Sequence, residues 1–265
     1  MSDYDARAFW EVRLSRHFDL RGTGLRKRGN RFNWWIYRAR VDTLRLALAR
    51  HRIEVKAKSV LDVGCGTGFY IAFWASMGLK HIKGVDIAAN SIRVLRKRFP
   101  QYSFERMDIS RSVSRPGKPF DIVTAFDVLY HIVEPRGFDV ALTNLRASVC
   151  DDGYIIISDV FGADEIRSFP HCMFRSYSMY AKSLQDLGIA IRGLYPQFIF
   201  LNLPLDVPRT WLRLLFTGLW SAMTCATVIE PIGDVLGAGL YHLDRLLLPR
   251  LSRGLSTKPL VCQVF

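Results

Sequence analysis

The stretch VLDVGCGTGFY, residues 60–70, constrains the fold more than any other part of the chain. An apolar run typical of a buried strand gives way to glycines at alternate positions, Gly64, Gly66 and Gly68. Glycine adopts positive φ without strain and lets a ligand approach the main chain closely. A strand, a glycine-rich loop and a helix in succession are typical of nucleotide-binding α/β domains. We therefore expect a nucleotide-type ligand at this turn.

Short apolar runs alternate with helical patterns from Ser59 onward. This alternation predicts an α/β fold with a parallel sheet and crossover helices. Strands are predicted at 59–64, 81–86, 102–107, 119–126, 153–161, 191–201 and 257–265. Helices are predicted at about 68–78, 88–99, 135–149 and 177–188, the third being followed by a turn at DDG.

Positive charge is concentrated at the amino-terminal end. Residues 1–58 contain fifteen Lys and Arg and six Asp and Glu, in a chain whose net charge is +13. Such a segment fits an anionic partner, for example nucleic acid, a phosphorylated molecule or a membrane surface. A solvated helix face is the alternative interpretation.

Composition narrows the class of protein further. With 49% apolar residues, wholesale disorder is excluded. The five cysteines include no Cys-x-x-Cys pair, which argues against a disulfide framework or zinc site and fits a reducing compartment. The longest uncharged run, 214–229, has 16 residues, short of the about 20 that cross a bilayer. Since no signal-peptide pattern begins the sequence, we expect a cytoplasmic protein without a transmembrane segment.

Acidic residues that follow three successive strands narrow the choice of nucleotide. The loop spacing is Gly-x-Gly-x-Gly, which differs from the dinucleotide pattern Gly-x-Gly-x-x-Gly, and the sequence has no P-loop motif. Asp62, Asp86 and Asp108 instead lie at predicted strand ends, where the ligand crevice of an open α/β sheet forms. A carboxylate at Asp86 can accept both ribose hydroxyls, and Asp108 can accept an adenine amine.

These residues resemble those of the class I S-adenosylmethionine-dependent methyltransferases. The resemblance covers about residues 59–200 and the final strand. It rests on LDVGCGTG (61–68), GVDIAANSI (84–92), Asp108 and AFDVLYHI (125–132). It implies a Rossmann-like sheet of seven mostly parallel strands, the last of them antiparallel. It also implies S-adenosyl-L-methionine as cofactor and S-adenosyl-L-homocysteine as product, and a cationic, phosphate-free ligand fits carboxylates and aromatic rings.

The resemblance assigns cofactor roles to individual residues. It places Gly64, Gly66 and Gly68 beside the methionine part, Asp62 near its amino group, Asp86 at the ribose, Ile87 beside the adenine, Met107 and Asp108 around the adenine, and Phe126 and Asp127 on the methionine side. The aromatic cluster FNWWIY (32–37) suggests a lid that includes Trp34 and Trp35, with Tyr37 or Arg38 reaching the methionine carboxylate. Plain packing of the aromatic residues is the alternative.

Candidate catalytic residues lie just beyond the fourth strand, in DVLYHI. His131 is the preferred general base, because its unperturbed pKa is near neutrality, and Tyr130 lies beside it. A capping or core histidine is the alternative. His171 and Arg175, in PHCMFRS, are the candidate substrate-binding residues, although Arg175 would equally form a structural pair with Asp159 or Asp164. No metal site is expected.

Four segments are predicted. Residues 1–58 form a basic helical cap or lid, and residues 59–202 form the cofactor-binding core. Residues 203–256, rich in Leu, Trp and Phe, form a mainly helical insertion that covers the acceptor pocket or forms a homodimer interface. Residues 257–265 are the final core strand.

The preferred function is O-methylation of a small-molecule or glycan acceptor by single displacement. Methyltransferases that act on nucleobase amines carry [ND]PP[YF] where this chain has FDVL, which disfavours that reaction. The stretch VLYHIVEP is similar to tRNA wobble-uridine carboxymethyltransferases, so RNA modification is the second choice. An exposed arginine stripe leading to the pocket would favour RNA, whereas inward-facing arginines would favour a small molecule. A catalytically silent partner subunit is the third alternative.

Overall fold

The computed structural model of the chain describes residues 4–111, 118–207, 209–250 and 254–265. Residues 1–3 of the predicted cap, and 208 and 251–253 of the predicted insertion, lie outside these ranges. The helices are α1 Ala6–Arg16, α2 Leu20–Thr23, α3 Asn30–Arg50, α4 Phe69–Ser76, α5 Ala89–Arg98, α6 Pro135–Ser148, α7 Tyr177–Asp186, α8 Thr210–Thr224 and α9 Glu230–Leu247, with 3₁₀ turns at Leu129–His131, Cys225–Val228 and Leu248–Arg250. The strands are β1 Ser59–Val63, β2 His81–Asp86, β3 Ser103–Arg106, β4 Phe120–Phe126, β5 Val149–Asp159, β6 Ile166–Phe169, β7 Cys172–Phe174, β8 Ile189–Leu194 and β9 Lys258–Val264.

Seven strands form one sheet in the order β3-β2-β1-β4-β5-β9-β8. The pairs β1–β2, β1–β4, β2–β3 and β4–β5 are parallel. Strand β9 lies antiparallel to both β5 and β8. The predicted Rossmann-like sheet with an antiparallel last strand is therefore confirmed. Parallel pairing puts the ends of β1, β2, β3 and β4 at the same edge of the sheet, where the glycine loop begins.

Hydrophobic residues cover both faces of the sheet. Within β1, Leu61 packs in one core cluster with Phe138 of α6, whereas Val60 packs in another cluster with Trp74 of α4. This alternation follows from the two-residue side-chain period of a strand. A strand buried on both faces reads as a continuous apolar run, which is why β1 is recognisable from its sequence.

Three elements differ from the sequence expectation. Strand β5 begins at Val149, four residues before its predicted start, and includes the DDG sequence that was expected to form a turn. The predicted strand over 191–201 is instead β8, which begins at Ile189 and ends at Leu194, just before Tyr195-Pro196. Proline cannot donate to a strand ladder, and the following backbone N–H groups of residues 199–201 donate to the Asp244 carboxylate at 2.8–3.1 Å. Strands β6 and β7 pair as a hairpin that was not predicted, because both are only three or four residues long.

The segment after β8 packs against the amino-terminal helix α3. Gly237 of α9 lies so close to Trp35 that a Cβ atom there would stand 2.6 Å from the indole. The Tyr241 hydroxyl of α9 donates to Asp42 of α3 at 2.6 Å. Within the described ranges, none of the helices has the length and apolar content needed to cross a bilayer.

Candidate active site

A cavity of about 1020 Å³ opens at the carboxyl ends of the parallel strands. Its wall is formed by the glycine loop, the ends of β2 and β4, the segment after β3, the Leu129–His131 turn and the start of α6. Helices α1 and α3 contribute the remaining side, with residues that include Trp10, Tyr37 and Arg40. No residue of 203–256 that the structure describes belongs to the wall. Helix α1 therefore covers this side of the pocket. The insertion of residues 203–256, which was expected to cover it, packs on α3.

The glycine loop adopts a conformation that favours glycine at each of its three positions. The φ angles are +69° at Gly64, +51° at Gly66 and +81° at Gly68. A Cβ atom at Gly64 would lie 2.3 Å from Val128, and one at Gly66 would lie 2.6 Å from Thr23. Gly64 and Gly66 line the cavity, whereas Gly68 caps the start of α4 and packs under α5.

Asp86 ends β2 at the cavity wall and is almost fully buried. Its two carboxylate oxygens accept from the backbone N–H groups of Gly66 and Ala88, each at 2.8 Å. Burial raises the pKa of Asp86 to about 6 in spite of these hydrogen bonds. The carboxylate therefore fixes the glycine loop against the end of β2 while it faces the cavity.

Asp62 lies beneath the loop and is not part of the cavity wall. One oxygen accepts from the Thr124 hydroxyl at 2.7 Å, and the other has no hydrogen-bond partner among the described residues. Burial raises the pKa of Asp62 to about 7. A buried acceptor without a partner is costly unless a ligand or water reaches it.

The three residues predicted for the adenine and its surroundings all line the cavity: Ile87, Met107 and Asp108. Asp108 accepts from the Ser110 hydroxyl at 2.6 Å and forms an ion pair with Arg111 at 3.0 Å. Its carboxylate is thus held in place at the end of β3, next to the apolar side chains on either side.

Tyr37 and Arg38, which were predicted to belong to a lid, lie on different faces of α3. Tyr37 lines the cavity, and its hydroxyl donates to Thr23 at 2.8 Å. Arg38 lies on another face of α3, where its guanidinium stacks over Trp34, Trp35 and Tyr241. Arg40, which the sequence analysis did not single out, lines the cavity instead. It lies three residues after Tyr37, and this i,i+3 spacing is the signal that would have found it.

Arg40 forms a buried ion pair with Asp127, with 2.5 Å between Nη2 and Oδ2. Burial lowers the pKa of the Arg40 guanidinium, but the Asp127 carboxylate together with the hydroxyls of Tyr70, Tyr37 and Tyr130 raises it overall. Asp127 itself has a φ of +57° and accepts from the Ser158 hydroxyl at 2.7 Å. Phe126, the residue before it, stacks on Tyr70, with 4.2 Å between ring centroids. Charged and aromatic groups thus meet where the methionine part is expected.

His131 lines the cavity at the 3₁₀ turn after β4. Its Nδ1 lies 2.9 Å from the carbonyl oxygen of His171, and the ring packs edge-on against Trp10. Because a carbonyl only accepts, Nδ1 carries the proton and Nε2 retains its lone pair. Burial lowers the pKa of His131 to about 3, so the ring is neutral at physiological pH.

The structure puts three further candidates outside the cavity wall. Tyr130 packs on Phe174 of β7, and the ring of His171 stacks on His131 at 5.6 Å and on Phe9 at 4.7 Å. Arg175 is 1% exposed, lies over the Phe138 ring and donates to the Ile132 carbonyl at 2.8 Å. Arg175 therefore holds the turn that carries His131, and among the described residues neither Asp159 nor Asp164 forms an ion pair with it.

His131, His171 and Cys172 place nitrogen and sulfur atoms within 4.8 Å of one another, the one set of this kind among the described residues that would hold a metal. Burial raises the pKa of Cys172 to about 12, which favours the thiol over the thiolate that binds metals. The Nδ1 atom of His131 is engaged by the His171 carbonyl. Ring packing and this hydrogen bond account for the cluster.

Helix α1 closes over the cavity mouth and is docked on α5. The Glu11 carboxylate accepts from the backbone N–H groups of Ala89 and Asn90 at 2.6 and 3.1 Å. The Asn90 side chain donates to the Leu14 carbonyl at 2.9 Å. Glu11 thus caps the amino terminus of a helix distant in sequence, which sequence inspection did not reveal.

The wall combines the groups expected for an adenosyl ligand: carboxylates, aromatic rings and glycines. Carboxylates stand near the ends of β2, β3 and β4, two of them paired with Arg111 and Arg40, and the aromatic rings of Tyr37, Tyr70 and Phe126 line the same wall. Glycines leave room for close approach at the loop. Fold and cavity together define a class I methyltransferase architecture.

The comparison with protein families identifies the chain. A profile of the methyltransferase domain family matches residues 34–192, more than half of its length. The chain belongs to this methyltransferase domain family.

Individual relatives cover less of the sequence. The ubiquinone biosynthesis O-methyltransferase of Albidiferax ferrireducens is 27% identical over 113 residues, which are 38% of this chain and 44% of the relative. The tRNA U34 carboxymethyltransferase of Campylobacter hominis is 26% identical over 143 residues, 51% of this chain and 48% of the relative. An amino-sugar relative, the dTDP-3-amino-3,6-dideoxy-alpha-D-glucopyranose N,N-dimethyltransferase of Streptomyces fradiae, is 32% identical over 114 residues, 42% and 43% of the two chains. The chain spans about half the length of the curated relatives it matches.

Solved structures share the architecture over a longer stretch. Magnesium protoporphyrin IX methyltransferase from Synechocystis PCC 6803, with bound S-adenosylmethionine, aligns over 100% of both chains with a TM-score of 0.59 and 14% identity. An N-methyltransferase from Bradyrhizobium japonicum, with S-adenosylhomocysteine, covers 86% of this chain and 87% of its own, with a TM-score of 0.53 and 13% identity. At such identities the likeness concerns the fold.

Proposed function

We propose that the protein methylates a hydroxyl group of a small molecule or glycan in a single displacement. The observation that carries this proposal is the neutral imidazole of His131, which faces the same cavity as Asp86 and Asp108. When bound, S-adenosylmethionine supplies an electrophilic methyl group. A hydroxyl acceptor then needs a group that removes its proton, and a neutral histidine is suited to that role.

The hydrogen bond of His131 prepares it for this role. Because its Nδ1 proton is held by the His171 carbonyl, the lone pair on Nε2 is available to an acceptor. Burial lowers the pKa to about 3, so His131 is a weak base that takes the proton once the hydroxyl has become acidic in the transition state. Arg175 supports the same geometry by binding the carbonyl of Ile132 in the turn.

The contacts of two amino-terminal arginines, Arg13 and Arg40, support a small acceptor over RNA. Arg13 donates to the carbonyl oxygens of Gly22 and Gly24 at 2.6 and 2.8 Å, and Arg40 pairs with Asp127. These two side chains face inward, whereas Arg7, which also lines the cavity, and Arg26, Lys27 and Arg31 are exposed. The similarity to a tRNA carboxymethyltransferase makes RNA the competing acceptor.

The experiment follows a labelled methyl group. Purified protein and methyl-labelled S-adenosylmethionine are incubated with a cell extract divided into RNA, glycan and lipid, and small-molecule fractions. Label as a methyl ether in the glycan or small-molecule fraction is the expected result. Label that appears only in RNA, or only on nitrogen, would refute the proposal.

A further inference from the structure

Helix α8 turns an apolar stripe towards solvent. Trp211, Leu214, Leu215, Leu219 and Met223 are 42–68% exposed. They follow the i, i+3, i+4 spacing that places side chains on one helix face. An amphipathic surface helix normally buries such a stripe, so its exposure points to a partner surface.

A second exposed stripe lies on α9. Ile232, Val235, Leu243 and Leu246 are 40–76% exposed, whereas the face towards α3 buries Leu240 and its neighbours. Helix α9 is therefore apolar on two faces, of which one is covered. The apolar face is defined here as the exposed residues Trp211, Leu214, Leu215, Leu219 and Met223 of α8, Val228 and Ile229 of the connection, and Ile232, Val235, Leu243 and Leu246 of α9.

The acidic residues around the apolar face are turned away from it. Residues 203–256 contain four, and each is bonded to other parts of the protein. Glu230 accepts from the backbone of residues 30 and 31, Asp234 from the Trp35 indole, Asp244 from the backbone of residues 199–201, and Asp206 pairs with Lys258. The arginines of the same segment at 209, 245 and 250 are exposed. This segment therefore contributes exposed positive charge, while its acidic groups are engaged by other parts of the protein.

A basic loop from the amino-terminal cap borders the same face. Arg28 stacks on the buried Trp220 of α8 at 5.0 Å. The backbone N–H of Gly29 donates to the Thr227 carbonyl at 2.9 Å, which places the loop beside Val228 and Ile229 of the apolar face. The neighbours Arg26, Lys27 and Arg31 are exposed. Part of the amino-terminal charge that pointed to an anionic partner thus lies beside the apolar face.

We propose that the apolar face docks on the surface of an anionic lipid bilayer. Apolar side chains at such an interface enter the headgroup region, while lysine and arginine face lipid phosphates. An amphipathic helix lies in the plane of the interface, so we expect α8 and α9 to rest on the bilayer surface. A second copy is a poorer occupant, because a two-fold contact would bring the same cations together.

This inference is independent of the proposed methyl acceptor, because the apolar face contributes no described residue to the cavity. Flotation with vesicles of phosphatidylcholine alone, and of phosphatidylcholine mixed with phosphatidylglycerol, tests it on the full chain. The wild-type protein is expected to float with the mixed vesicles, and high salt is expected to weaken this binding.

Two variants divide the apolar and charged contributions. The double variant Leu214→Asp, Leu219→Asp is expected to bind at least tenfold more weakly, whereas Leu46→Asp, at an exposed site on α3, binds like the wild type. The triple variant Arg26→Ala, Lys27→Ala, Arg31→Ala is expected to lose on the order of a hundredfold, at roughly fivefold for each cation. Arg50→Ala with Lys56→Ala is its control, with circular dichroism to verify folding.

Three results would overturn the proposal. Equal binding to neutral and anionic vesicles would contradict the role of charge. Failure to float with either vesicle, for a folded protein, would contradict docking itself. A dimer that dissociates in the Leu214→Asp, Leu219→Asp variant, without vesicle binding, would identify a second copy as the occupant.

Discussion

Replacing Asp86 with asparagine tests the role of this carboxylate in both the loop and the cofactor site. The two oxygens of Asp86 accept from the amides of Gly66 and Ala88. Asparagine has one acceptor oxygen, so one of these buried N–H groups would face an NH₂ donor. The unpaired buried N–H group corresponds to a loss of about 1–3 kcal/mol of unfolding free energy, which the amide partly offsets above about pH 6 because it avoids the cost of a buried charge. Cofactor affinity is expected to fall at least tenfold, because the ribose hydroxyls lose their charged acceptor.

Urea unfolding without ligand and calorimetric titration with S-adenosylhomocysteine measure these two effects separately. Asp186→Asn, at an exposed position at the end of α7, is the matched control and is expected to change neither. A folded Asp86→Asn variant that binds S-adenosylhomocysteine as tightly as the wild type would refute the assignment of this residue.

The pH dependence of the same variant provides a further check. Burial raises the pKa of Asp86 in the folded protein to about 6, above the unfolded value near 3.9. The folded state therefore holds this proton more tightly, and the stabilisation present below about pH 4 is lost as the pH rises to 6. Binding requires the carboxylate, so cofactor affinity is expected to fall as the pH is lowered through 6. The difference between wild type and Asp86→Asn should show both trends, and a pH-independent difference would contradict them.

Two more substitutions address the lid side of the cavity. Arg40→Ala leaves the buried Asp127 carboxylate unpaired and is expected to cost about 3–5 kcal/mol of stability in urea unfolding, whereas Arg38→Ala should cost less than about 1 kcal/mol. Equal losses would contradict the distinction between these neighbours. Glu11→Ala removes the contact of α1 with the start of α5 and is expected to accelerate release of S-adenosylhomocysteine several-fold in stopped-flow measurements. An unchanged release rate would show that α1 does not retain the ligand.

The core of the fold was predictable because its signals are local. Strands β1 and β2 lie within a residue of their predicted bounds, since apolar runs buried on both sheet faces are visible in sequence. The predicted end of β8 was wrong for two reasons. Pro196 cannot donate to the hydrogen-bond ladder of the strand. The Asp244 carboxylate, 45 residues after Ile199 in sequence, accepts hydrogen bonds from the next segment and holds it in a loop. Pairing between distant residues leaves no pattern in a single sequence.

The candidate site, like the fold, was predictable only where its signals are local in sequence. The glycine loop and Asp86 follow from the order of strand, turn and strand. The roles of Arg38 and Arg40 depend on which face of α3 meets the cavity, and packing against the sheet decides that orientation. The sequence suggested that Arg175 binds substrate, but its guanidinium donates to backbone carbonyls of the turn after β4. A single sequence does not distinguish a side chain that holds a turn from one that binds a ligand.

Methyl transfer by a His131→Ala variant tests the central claim most directly. An untreated portion of the fraction that accepts the methyl group serves as substrate, and His81→Ala, exposed at the end of β2 away from the cavity, is the control. We predict a decrease in single-turnover rate of about a hundredfold or more, with unchanged affinity for S-adenosylhomocysteine. An unchanged rate, or equal losses of rate and affinity, would contradict the assignment of His131 as the base in hydroxyl methylation.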